Sequence, residues 1–231
     1  MVAAESQEFV SQVGQEIDLR TMIEANLPSS RPDSALSLVA SADVREAGRG
    51  EVFWRQGEPV RLTLLIRGHG GFWRTTAEGQ RVIVGIANPG ELYGITSVSA
   101  TISTVEMVAL TDSLVATWDG PVFRRVVVDD PGLALNVVDR LGSFLNILTE
   151  KVDGFLHQDA RRRVVRVLSR HRDLFFGDPP ILSRGILPGL VGTSREMTGS
   201  VVRRLEREGM IARVGRTGLK LLDPARLDQG A

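Results

Sequence analysis

Residues 182–222 read LSRGILPGLVGTSREMTGSVVRRLEREGMIARVGRTGLKLL, and this stretch decides the fold of the C-terminal third. Leu187, Leu190 and Val191 mark a short apolar face. Gly192 follows, a residue free to take the left-handed backbone of a tight turn between helices. Thr193 or Ser194 can cap the next helix by accepting from its unpaired first-turn N–H groups. In that helix Met197, Val201 and Leu205 recur at i, i+4 and i+8 and are expected to face inward. Arg195, Glu196, Thr198, Gly199, Ser200, Arg203 and Arg204 are then left on the other surfaces. Met210–Val214, a turn over Gly215–Gly218 and Leu219–Leu222 read as a β-hairpin carrying Arg213 and Arg216. Turn, capped helix and basic hairpin together predict a winged helix-turn-helix that reads double-stranded DNA.

Charge supports that division. Residues 1–150 hold 12 Arg against 19 acids, a balance of −7, whereas residues 151–231 hold 16 basic side chains against 9 acids, a balance of +7. The formal net charge of zero is a cancellation between two unlike halves, as expected when one module meets an anion and the other does not. In the expected reader, Arg195 can pair with guanine and Glu196 with the cytosine amino group. Arg203, Arg213 and Arg216 would lie beside phosphates, and Thr193, Ser194, Ser200 and Arg204 complete the predicted DNA-binding set.

Upstream, Leu133, Val137, Leu141, Phe144, Leu148, Val152 and Phe155 form a stripe spaced by three and four after Asp130-Pro131, a good helix start. A stripe of about six turns predicts a helix that pairs with a second copy of the chain, through Val137, Leu141, Phe144, Leu148 and Val152. Between Val44 and Trp118, short β-branched and aromatic runs (Val52–Trp54, Leu62–Ile66, Gly71–Trp73, Val82–Ile86, Val105–Leu110, Leu114–Trp118) alternate with glycine, the texture of a β jelly roll. Phe9, Val13 and Ile17, then Leu19, Met22 and Ile23, predict helix at the N-terminus. The expected organisation is α+β: an effector-sensing domain over 1–130, a dimerisation helix and hinge over 131–156, and a winged helix-turn-helix over 157–231.

Other chemistries find little support. The chain has no cysteine, which excludes iron–sulfur clusters, thiolate zinc and cysteine nucleophiles. His69, His157 and His171 are scattered without metal-site spacing. No nucleophile elbow or phosphate loop occurs, so no enzyme is expected. With no basic-then-apolar leader and no apolar run of about 18 residues, the expected setting is the cytoplasm, without a membrane.

The motifs resemble those of the cyclic-AMP receptor protein and fumarate–nitrate regulator (CRP/FNR) superfamily of bacterial transcription factors. Val191-Gly192-Thr193-Ser194-Arg195-Glu196, Arg203-Arg204-Leu205-Glu206 and Gly209-Met210-Ile211 resemble its reader. Gly50-Glu51-Val52-Phe53, Gln56-Gly57-Glu58, Arg67-Gly68 and Pro89-Gly90-Glu91-Leu92 resemble its sensor barrel. The resemblance implies a homodimer on a palindromic operator, contact with RNA polymerase, and a small-molecule effector near Gly90, Glu91, Leu92, Gly94, Ser103 and Thr104. It departs at the effector. Members that bind cyclic AMP place an Arg where this chain has Thr101-Ile102-Ser103-Thr104-Val105, and no Lys or Arg occurs between Arg81 and Arg124. A buried phosphate without a cation is costly, so the effector is expected to be something else. An Arg is also replaced by Ser200, which changes the expected operator. Some relatives carry haem, for which His69 or His157 would be the axial candidates. A cyclic-nucleotide-binding module acting through protein contacts, or a regulator without an effector, are the alternatives.

Overall fold

The computed structural model describes residues 18–230, so the expected helix through Phe9, Val13 and Ile17 lies outside the described residues. The chain divides into two compact units. One comprises the chain up to Gln80 with Ile86–Asn146, the other Arg81–Gly85 with the chain from Ile147 onward. The boundary at Asn146/Ile147 falls inside the long helix, where the sequence placed its divisions at 130 and 156.

The first unit opens with α1 (Leu19–Asn26) and α2 (Pro32–Ala40). The Asp18 carboxylate accepts from the Thr21 N–H at 3.0 Å and starts α1. Pro32 at the first position of α2 is already fixed at a helical φ. Two four-stranded sheets follow. One has the order β1 (Asp43–Ala47), β8 (Ser113–Trp118), β3 (Leu62–Arg67), β6 (Leu92–Tyr93); the other has β2 (Val52–Trp54), β7 (Glu106–Ala109), β4 (Gly70–Thr75), β5 (Arg81–Ala87). The expected strand runs all fall within these strands or overlap them, while β1 and the two-residue β6 were not expected.

Strand parity explains how the core is divided. Side chains alternate faces along a strand. Leu62 and Leu64 of β3, with Ala116 and Trp118 of β8, join Ile23, Leu38, Phe123, Leu133 and Val137 in one cluster. Leu65 and Val115 point the other way, to Phe53, Trp54, Met107 and Ala109. All six residues of β8 are buried, since helices cover one face of its sheet and the second cluster the other. The Trp118 indole N–H donates to the Leu38 carbonyl at 2.8 Å, which satisfies a buried donor and fastens α2 to β8.

After α3 (Gly120–Asp129) comes α4 (Pro131–His157), 27 residues long. Its start is heavily anchored. Asp130 is 1% exposed, and its carboxylate accepts from the N–H groups of Gly132 (2.9 Å), Leu133 (3.2 Å) and Arg31 (2.7 Å). Burial alone would raise this carboxyl, but the bonds from Ser34, Arg31, Leu133 and Gly132 hold it below its ordinary value. A Cβ at Gly132 would stand 1.9 Å from the Ser29 carbonyl oxygen, so only glycine lets that loop cross here. Two turns on, the Arg140 guanidinium donates to the Asn26 carbonyl at 2.9 and 3.1 Å and to the Leu92 carbonyl at 3.4 Å.

This anchoring corrects the expected dimer stripe. Val137 is 6% exposed, and Leu141 packs against the same intramolecular core. The periodic pattern could not distinguish a sheet of the same chain from a partner. Phe144, Leu148 and Val152 are exposed, as are Leu135, Val138, Ile147 and Leu156. The open apolar face of α4 therefore keeps Phe144, Leu148 and Val152 of the expected set and extends to Leu135, Val138, Ile147 and Leu156.

The second unit contains α5 (Ala160–Arg170), α6 (Arg172–Phe176), α7 (Leu187–Val191), α8 (Arg195–Arg207), the antiparallel hairpin β9 (Ile211–Val214) and β10 (Gly218–Leu221), and α9 (Pro224–Gln229). The Asp159 carboxylate accepts from the Arg162 N–H at 2.7 Å and caps α5 as expected. Val165, Leu168, Phe175, Leu187, Leu205 and Ile211 are among its buried residues.

Replacing Arg140 with Ala leaves the Asn26 and Leu92 carbonyls without this donor. The expected loss is about 2 kcal/mol of unfolding free energy, measured by urea denaturation, and an unchanged midpoint would show the contact to be idle.

Candidate functional site

The expected reader is built around the turn between α7 and α8. Pro188 allows α7 only five residues, and Gly192 closes it in the left-handed conformation at φ 67°. The N–H groups of Gly192 and Thr193 both donate to the Pro188 carbonyl, at 2.9 and 3.1 Å. The Phe155 ring occupies the place a side chain would need, because a Cβ at Gly192 would lie 2.4 Å from it. The Arg163 guanidinium sits 5.5 Å from the centre of that ring and donates to the Gly154 and Gln158 carbonyls. The end of α4 is thus fixed against the turn of the reader by a ring, a missing side chain and a cation.

Of the two expected caps, Ser194 is the one used. Its Oγ accepts from the Met197 N–H at 3.1 Å. The inward stripe of α8 is Thr198, Val201, Val202 and Leu205, all buried. Two expectations are corrected here. Met197 is 49% exposed, and Thr198, expected at the surface, is 3% exposed. The cause is local: the Thr198 hydroxyl donates to the Ser194 carbonyl at 3.0 Å, so its polar end is satisfied inside.

The predicted DNA-binding side chains lie on or next to α8 and the hairpin. Ser194, Arg195, Glu196, Ser200, Arg203, Arg204, Arg213 and Arg216 are exposed and Thr193 is half-buried. They differ in freedom. Arg213 Nε is held by Glu206 at 2.7 Å, and Arg204 Nε by Glu208 at 2.9 Å. Glu208 also takes Arg161 at 2.8 Å, and these bonds, the one from Arg161 first, hold its carboxyl below the usual range. Arg195, Arg203, Arg207 and Arg216 have no ion-pair partner among the described residues. Arg184, which sequence reasoning passed over, fixes the hairpin tip: its N–H donates to the Thr217 carbonyl at 2.9 Å and its guanidinium to the Arg216 carbonyl at 2.6 Å.

Several of the residues named for an effector are engaged by neighbours in the first unit. Glu91 Oε2 accepts from the Tyr93 hydroxyl at 2.6 Å, and that hydroxyl accepts from the Asn88 N–H at 2.7 Å. Burial first, then the bond to Glu91, pushes the Tyr93 hydroxyl well above its ordinary value, so it stays a donor. Leu92 is in the core, and Gly94 turns at φ 76° with the Arg61 carbonyl pressed against it. Gly90 turns at φ 82°. Ser103 is buried, accepting from the Trp54 indole at 3.1 Å and donating to the Val105 carbonyl at 2.6 Å, whereas Thr104 is exposed. The rings of Trp54, Phe72 and Tyr93 follow one another at 6.1 and 5.3 Å.

One residue was missed: Arg140 of the long helix attracts Glu91 electrostatically. Only its place on the inward side of α4, three residues after Val137, could have signalled this. Among the described residues no group of three His, Asp or Glu could hold a metal ion. Among the described residues no helix is long and apolar enough to cross a membrane.

Residues 44–130 match the family model of the cyclic nucleotide-binding domain. No curated protein matches the chain by sequence. Among solved structures, the chain is similar to the c-di-GMP responsive global regulator CLP of Xanthomonas campestris, at 22% identity and TM-score 0.65, over 83% of this chain and 99% of that one. It is similar to FixK2 of Bradyrhizobium japonicum, at 18% identity and TM-score 0.65, over 81% and 96%. A transcriptional regulator of the CRP/FNR family from Eubacterium rectale gives TM-score 0.72 at 12% identity, over 87% and 94%.

Ser194→Ala removes the cap that starts α8. The expected cost is about 1 kcal/mol, and a variant as stable as the parent in thermal unfolding would assign that cap no role.

Proposed function

We propose that this chain, which carries a cyclic nucleotide-binding domain and has the fold of CRP/FNR transcription regulators, is a dimeric, sequence-specific DNA-binding regulator. The observation that carries the reading is the separation of arginines on α8 and the hairpin. Glu206 and Glu208 hold Arg213 and Arg204 in place, while Arg195, Arg203 and Arg216 are exposed without an acid to neutralise them. Such cations are available to phosphates and base edges. Arg195 and Glu196, in the first turn of α8, are the base readers; Arg203 and Arg216 are phosphate contacts.

Dimerisation is the companion proposal. The exposed apolar residues of α4, from Leu135 through Val152 to Leu156, are a large unfavourable surface in water and fit an identical helix. Two readers then meet two half-sites about one helical turn apart.

For the sensor we propose an effector other than cyclic AMP. A second reading, a regulator whose barrel needs no effector, draws on a specific observation: Glu91 is already occupied by Tyr93 and Asn88, and Trp54, Phe72 and Tyr93 form a continuous aromatic series. Operator affinity that does not change on adding cyclic nucleotides or crude small-molecule extract favours the second reading.

Two variants test the main proposal. Arg195→Glu with Arg203→Glu is expected to abolish binding to duplexes selected by the parent protein, whose own affinity falls steeply with salt; no salt-sensitive binding to any duplex by the parent would end the proposal. Val152→Glu is expected to shift the protein from dimer to monomer in sedimentation, and an intact dimer would move the interface elsewhere.

A further inference from the structure

Met197 occupies an unusual position in α8. Every other exposed side chain of that helix is polar or charged, yet this large apolar one is 49% exposed, while the smaller Thr198 beside it is buried at 3%. The exchange is stabilised from below, because the Ser194 hydroxyl and carbonyl engage the Met197 N–H and the Thr198 hydroxyl respectively. Rotating the helix to bury Met197 would break the second of those bonds. Met197 is therefore held outward in the first turn, next to Glu196, one turn before Ser200 and two turns before Arg204.

An apolar group in that position is costly in water unless it meets another. The floor of the DNA major groove offers one apolar feature, the 5-methyl group of thymine. A thioether side chain, unbranched and polarisable, adapts its shape to such a contact. We infer that Met197 reads a thymine methyl in each half-site, in a base pair next to the one that Glu196 contacts. This inference rests on the DNA-binding reading above and adds a third base-reading side chain to Arg195 and Glu196.

The test starts from duplexes that the parent protein selects out of a random pool. In the selected sequence each thymine is replaced in turn by deoxyuracil, which lacks only the methyl group. The parent is expected to lose about fourfold in affinity at one symmetric pair of positions, the effect of one methyl group withdrawn from an apolar contact. Met197→Ser should bind the thymine and uracil duplexes alike at those positions, whereas Met197→Leu should keep the preference. Because the side chain is exposed, neither change should affect folding, which circular dichroism checks. A parent indifferent to every uracil, or a serine variant as methyl-sensitive as the parent, overturns the inference and leaves the DNA-binding reading intact. Failure to select any duplex overturns both.

Discussion

Buried carbonyls need donors, and that requirement organises the first unit. The α1 helix ends at Asn26 with its carbonyl pointing toward the interior, and β6 is only two residues long, too short to satisfy itself through a ladder. Arg140 answers both, reaching from α4 to the Asn26 and Leu92 carbonyls. The Asn26 side chain completes the join by donating to the Gly90 carbonyl and accepting from the Leu92 N–H. One guanidinium and one amide thereby tie the first helix, the turn at Gly90 and the long helix together. The rest of α4 can remain exposed because its beginning is fastened so firmly by Arg140, Asn136 and Asp130.

The same economy governs the second unit. Its acids are few, and two of them, Glu206 and Glu208, are spent on orienting arginines of the same unit. Fixing Arg204 and Arg213 lowers the entropy those long side chains would lose on meeting a partner. Among the arginines of α8 and the hairpin, Arg195, Arg203, Arg207 and Arg216 are left without an acidic partner, and they are part of the +7 balance of residues 151–231.

Legibility in the sequence followed the range of the interaction. Capping was readable because it is local: Asp159 stands three residues before the N–H it accepts from, and so does Ser194. Strands of the two sheets were readable from their β-branched runs, except β1 and β6, the second of which has only two residues and carries no pattern. Val137 and Leu141 were misassigned because helical periodicity records which side is apolar but not what lies against it. Met197 and Thr198 exchanged roles because hydrophobicity favours Met inside, and only the hydroxyl bond to Ser194 reverses that choice. Arg140 was invisible as a neighbour of Glu91, since 49 residues of chain separate them. The Trp54 bond to Ser103 and the Tyr93 bond to Glu91 were equally hidden, since spacing alone does not reveal such pairings.

Strand β8 has all six residues buried and hydrogen-bonded neighbours on both sides, β1 and β3. Its amides can meet solvent only when both sheet neighbours and the covering helices let go together, so local opening is closed to it. In deuterium exchange this strand sets the clock for the first unit, marking the slowest event the unit undergoes. Any ligand or partner that stabilises the whole unit will register there, however far from β8 it binds.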